Sequence, residues 1–160
     1  MGLELPEGPL SAVGDFLGHL FPDGDVNGLV AMGGGHDRHA DRLREHLADG
    51  TGSSEAVAAT SRGDGIAAFV QNFHHPEGAN RNIGDAVSGI RVAGLGLQVS
   101  AGIVLAHKGV TLLQYGLVAA ALARAAVAGG AGAALVPGIQ QAGRRALDKG
   151  TDAAVEAVLT

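Results

Sequence analysis

The side chains best suited to chemistry are histidines, and three of them, His36, His39 and His46, share one stretch with Asp37 and Asp41. At helical spacing His36 and His39 stand one turn apart and His39 and His46 two turns, so the imidazoles can share a face. Two or three imidazoles with a carboxylate can bind a divalent metal. The spacing matches no zinc-helix signature, however, and no second cluster completes a shell. His74-His75 could join only through the fold. A solvated polar face is the better reading, and no metal or cofactor is expected. Arg62-Gly63-Asp64 spells the tripeptide that integrin ligands display, yet each residue has a local task, Gly for a turn and Asp for a helix cap. Gly94-x-Gly96 lacks the third glycine of a dinucleotide loop and follows no strand. No phosphate loop, nucleophile–His–acid order or pair of carboxylates on an apolar face appears. A catalytic constellation is missing, and the chain is not expected to be an enzyme.

Composition narrows the fold. The chain of 160 residues is long enough to bury a core as one helical domain. It has no cysteine, so disulfides and thiolate metal sites are ruled out. With one Tyr, four Phe and no Trp, the core must be built from Ala, Val, Leu and Ile, which suits closely spaced helices. Residues 1–86 hold thirteen acids against five Lys or Arg, a net of −8, and residues 87–160 hold three against six, a net of +3. Net acidity argues against a nucleic-acid surface. Glu4, Pro6, Glu7 and Pro9 occupy the place of a charged-then-apolar leader, so no signal peptide is expected.

The elements follow from periodicity and breakers. An extended lead-in precedes a short amphipathic helix capped by Ser11 and carrying Val13, Phe16, Leu17 and Leu20, all within residues 1–24. A first long helix is expected over residues 26–49, kinked at Gly33-Gly34-Gly35. A loop at Gly50–Ser54 and short helices within residues 55–74 come next, with a turn at Ser61-Arg62-Gly63-Asp64-Gly65 and Asp64 as a cap. A central long helix or kinked pair spans 79–128, with a division near His107-Lys108-Gly109. Gly129–Gly132 reads as a break, and Pro137 opens a final helix over 137–159 with a soft spot at Gly150-Thr151. No alternating run is bounded by hairpin turns, so the fold class is all-α: an elongated helical hairpin or bundle organised around a long Gly/Ala-rich apolar helix.

That helix carries the most specific pattern. From Val87 to Val127 it would measure roughly 60 Å. Val99, Ile103, Ala106, Val110, Leu113, Leu117 and Ala120 alternate at intervals of three and four, the seam of a helix packed along its length. Gly102, Gly109, Gly116, Ala123 and Gly130 run beside it at intervals of seven. Each interior Gly costs about 0.5–1 kcal/mol relative to Ala, so glycines in register suggest a close helical neighbour. The expected packing interface is therefore Val99, Gly102, Ile103, Gly109, Val110, Leu113, Gly116 and Leu117, facing a partner helix from this chain or a second one. Leu at Gly109 or Gly116 would then cost roughly 1–3 kcal/mol by overpacking. Val104, Leu105, Leu112, Val118 and Leu122 lie outside the seam, so more faces are apolar than one hairpin covers, and association is expected.

A membrane reading competes. Val92–Ala106 and Gly109–Ala123 are each fifteen residues without formal charge, short of the about 20 that a clean span needs. His107, Lys108 and Arg124 interrupt the run, and a charge at mid-span costs about 2.5–3.5 kcal/mol. In a soluble protein these three are expected to reach solvent or pair with Asp37, Asp41 or Glu45.

One family has the same order of parts. The turn around Gly63, Asp64 and Gly65 leads into Ile66-Ala67-Ala68-Phe69, the Val87–Val127 helix follows, then the Gly129–Gly132 break and a helix after Pro137 carrying Arg144-Arg145. In this order the chain resembles the N-terminal helical domain of actinobacterial polymorphic toxins, relatives of the small Trp-x-Gly helical hairpins exported by type VII secretion. The turn has no Trp, and Tyr115 is followed four residues on by Ala119 where the family's export signal has an acid. The resemblance implies a non-catalytic secretion, trafficking or adaptor domain. Its partners would be a helical protein, a second copy or the secretion machinery, and it would be exported by a leaderless route or remain cytoplasmic. The alternative is a membrane-active protein inserting residues 92–136 as a hairpin.

Overall fold

Proline and glycine set the ends of the first helix. A computed structural model describes residues 3–159, and α1 runs Pro9–Leu17. Pro9 takes the first turn, where its missing N–H costs nothing. Gly18 adopts the left-handed conformation at φ 63° that closes a helix, and its N–H donates to the Asp15 carbonyl at 3.0 Å. The N-cap is Gly8 rather than Ser11, three residues earlier than the sequence suggests, and the Ser11 hydroxyl donates to the Gly8 carbonyl. Leu20 falls outside it, 92% exposed.

The second helix corrects two expectations. α2 is continuous over Val26–Thr60, interrupted neither at Gly33–Gly35 nor by a loop at Gly50–Ser54. Asp25 caps its start, the carboxylate accepting the Gly28 N–H at 2.8 Å. The glycines are carried by packing: Gly33 is buried, and a methyl there would lie 2.9 Å from the Gly94 carbonyl oxygen. Within the Gly50–Ser54 stretch, helical throughout, Thr51 returns its hydroxyl to the Leu47 carbonyl at 2.8 Å.

α3 spans Asp64–Phe73, and its cap is Gly63 at φ 124°, with Asp64 in the first turn rather than capping. α4 covers Ala79–Val127 without dividing at His107-Lys108-Gly109. Gly129, at φ 61°, turns the chain into the single helical turn α5, Gly130–Ala133, so the expected break is partly helical. A methyl at Gly132 would overlap the Ala125 carbonyl, which fixes glycine there. α6, Val136–Leu159, runs through Gly150-Thr151, where the Thr151 hydroxyl bonds the Leu147 carbonyl at 3.1 Å. Among the described residues all regular structure is helical: the protein is all-α.

The chain packs as two compact units, one of Met1–Gly28 with Val99–Thr160 and one of Leu29–Gln98. The first has its core at Val13, Leu17, Tyr115, Val118 and Leu147, flanked by Leu10, Phe16, Leu122 and Ile139. α1 lies on α6, whose Gln140 and Arg144 donate to the Phe16 and Leu17 carbonyls at 2.6 and 2.7 Å. These carbonyls end α1 without intrahelical partners, so the two side chains complete them. In the second unit α2 and α4 approach at Gly33 and Gly94, beside buried Ala40 and Val87. Arg91 pairs with Asp41 at 2.7 Å and Gln98 donates to Asp37 at 3.1 Å.

Candidate interaction surface

In the first unit α4 carries two lines at the same three-and-four spacing, on opposite sides of the helix. The inward line is Ala101, Val104, Lys108, Thr111, Tyr115, Val118, Leu122 and Ala125, all buried or half-buried. The outward line is the one that periodicity singles out. Val99 is 54% exposed, Leu113 65% and Leu117 63%; Val110 is exposed and Ile103 half-buried. A methyl built at Gly102, Gly109 or Gly116 would meet nothing within 4 Å. So among the described residues of the first unit no helix packs closely on that face, and the expected overpacking at Gly109 and Gly116 does not arise there. Close approaches lie instead at glycines such as Gly14, Gly24, Gly33, Gly94, Gly132 and Gly143, the last beneath Leu17 and Val118 at 2.9 Å.

The inward line is harder to read because its members are chemically mixed. Tyr115, fully buried, donates its hydroxyl to the His19 carbonyl at 3.0 Å, and His19 Nδ1 lies 3.1 Å from the Tyr115 hydroxyl oxygen with the rings edge to face. Burial and then the Asp15 carboxylate push the Tyr115 phenol above its ordinary range. Burial and then His19 hold the His107 imidazole below its own, and His107 Nδ1 is buried without a protein partner. Lys108 is only 6% exposed, its ammonium 5.8 Å from the centre of the Phe21 ring. His107 and Lys108 thus neither reach solvent freely nor pair with Asp37, Asp41 or Glu45. Their helix positions turn them toward α1 and the segment after it. A polar residue recurring at heptad spacing inside an apolar helix (Lys108, Tyr115) is the one sequence signal that marks this line.

The other candidate sites are dispersed. His36 bonds back to the Met32 carbonyl at 2.9 Å, while His39 and His46 are exposed. Among the described residues no three His, Asp or Glu side chains converge as metal ligands. Of Gly63, Asp64 and Gly65 only Gly63 lies outside a helix: Asp64 and Gly65 form the exposed first turn of α3, and Phe69 packs on Phe73 with ring centres 5.9 Å apart. In the second unit Leu43, Leu47, Phe69, Phe73 and Ile83 line an apolar cavity of about 390 Å³ between α2, α3 and α4.

What the geometry offers is a surface for association: an outward apolar line on a long helix, with small residues beside it and Arg124 its one charge between Val99 and Val127. Compared with protein-family models, curated proteins and solved structures, the chain matches none.

Proposed function

We propose that this protein is a non-catalytic helical adaptor that associates through the outward face of α4, with the secretion or trafficking role that its resemblance to type VII-exported toxin domains implies. The observation that carries the reading is the exposed line Val99, Val110, Leu113 and Leu117 beside open space over Gly102, Gly109 and Gly116. Bulky apolar groups on one side and bare backbone on the other let a second helix sit close. Covering each half-exposed Val or Leu contributes on the order of 1 kcal/mol, against an association cost of roughly 4–15 kcal/mol. Four such side chains on each partner supply about 8 kcal/mol, so micromolar binding also requires the neighbouring Ile103, Ala106 and Ala120 and the backbone over the glycines to be covered.

Light scattering across micromolar concentrations tests it, alone and after co-expression with a helical secretion partner. The wild type should exceed the 15.9 kDa monomer mass, and Leu113→Glu with Leu117→Glu should return it to a monomer at unchanged helix content. A wild type that stays monomeric and takes no helical partner overturns the reading. A second reading, membrane contact, draws on α4 being long and apolar enough to cross a bilayer by length and composition. Lys108 and Arg124 weigh against insertion, since each charge is costly in hydrocarbon.

A further inference from the structure

A buried lysine without an anion lies at one wall of an open pocket in the first unit. Leu3, Leu5, Leu20, Phe21, Pro22 and Lys108 line a space of about 670 Å³, within the range of small-molecule sites. Lys108 is 94% buried with its nitrogen still open to the pocket, yet no carboxylate oxygen lies within 4.0 Å of that nitrogen among the described residues, and the group it faces is the Phe21 ring at 5.8 Å. A buried cation is costly unless paired, and a ring face compensates only part of that cost. Glu4 and Asp23 also line the pocket, but both are exposed and neither reaches the ammonium. Two of the apolar lining side chains are wet: Leu20 is 92% exposed and Leu3 is exposed as well.

From this we infer a ligand site on the α1–α2 connection and α4: it takes an amphiphile with one anionic head and an apolar body. The head pairs with Lys108, and the body covers Leu3, Leu20 and the Phe21 ring. Two features set the class. The single buried cation matches one negative charge, and Glu4 and Asp23 at the rim repel a more highly charged head. The apolar wall gives a bare inorganic anion little to hold. This site is separate from the outward face of α4, because Lys108 belongs to the inward line.

Calorimetric titration of the full chain with decanoate, decanol and inorganic phosphate tests the assignment. Decanoate should bind one to one, at least tenfold tighter than decanol, with no detectable phosphate binding. Lys108→Met should weaken decanoate at least tenfold and leave decanol within twofold, while Lys108→Arg retains most of the affinity. Glu4→Gln with Asp23→Asn should tighten decanoate several-fold. Leu20→Asp, at an exposed position that leaves the fold intact, should weaken it and keeps the test open if Lys108→Met does not fold. Phosphatidylglycerol vesicles form the other arm: Lys108-dependent vesicle binding without decanoate binding assigns the anion to a lipid headgroup, and the shared chemistry stands. Decanoate bound no better than decanol, or equally by wild type and Lys108→Met, with vesicle binding also indifferent to Lys108, overturns the site. Leu113→Glu with Leu117→Glu should leave decanoate affinity unchanged, which separates this outcome from failure of the association reading.

Discussion

Tyr115 shows how much of the first unit depends on one polar atom. Its ring fills the space above Gly14 and its hydroxyl satisfies the His19 carbonyl, just past the end of α1. Tyr115→Phe leaves that carbonyl without its donor and should cost about 1–3 kcal/mol in urea denaturation. Because this is the only tyrosine, phenolate absorbance reads it directly. Its folded pKa is raised, so the neutral form is favoured: the associated stability is present below the unfolded pKa, about 10, and is lost as pH rises through the folded value. Phenolate should appear at higher pH in folded than in urea-unfolded protein. His107 works in the opposite direction. Its folded pKa is lowered by burial and by His19, so its stability is present above the ordinary value of about 6.5 and is lost as pH falls through the folded value. The urea midpoint should drop as pH falls from about 6.5 through the folded value, and His107→Gln should reduce the drop.

The helices separate glycines that serve packing from glycines that serve nothing inside the chain. At Gly33 a methyl would press on the Gly94 carbonyl at 2.9 Å and on Gln98 Cγ at 2.8 Å, and Gln98 already donates to Asp37. Gly33→Ala should lower stability. At Gly102, Gly109 and Gly116 no atom stands in the way, so Ala should raise stability by about 0.5–1 kcal/mol each through helix propensity. Chemical denaturation at concentrations where the chain is monomeric checks both. Destabilisation at Gly109 and Gly116 under those conditions would mean that a helix of the same chain covers the face. Periodicity anticipated α4 closely, 79–128 expected against Ala79–Val127 observed. It misplaced α2 because propensity divides that helix at its glycines, whereas α2 packs on α4 where Gly33 meets Gly94.

For the whole molecule, the choice between helical partner and bilayer rests on what covers α4. The adaptor reading expects no dye release from vesicles at neutral pH or at pH 5. The double substitution Lys108→Gln with Arg124→Gln should add none, since Lys108 faces the core of its unit and only Arg124 sits on the outward line. Strong leakage by the wild type would place the membrane reading first. Leakage gained only on removing the two charges would show that they alone prevent insertion.

Helical class, the extent of α4 and its heptad spacing follow from the chain alone, because they are local: they depend on breakers, on apolar period and on the absence of strand patterns. Which side of α4 turns inward does not follow. Two lines share the same spacing, and counting bulk favours Val99, Val110, Leu113 and Leu117 over a line that holds Lys108, Thr111 and Tyr115. Tertiary contacts decided for the second, since Tyr115 finds the end of α1 and Val118 meets Leu17 and Gly143. The meeting of Lys108 with Phe21 was equally out of reach, because it joins residues far apart in sequence that only the packing of α1, α4 and α6 brings together.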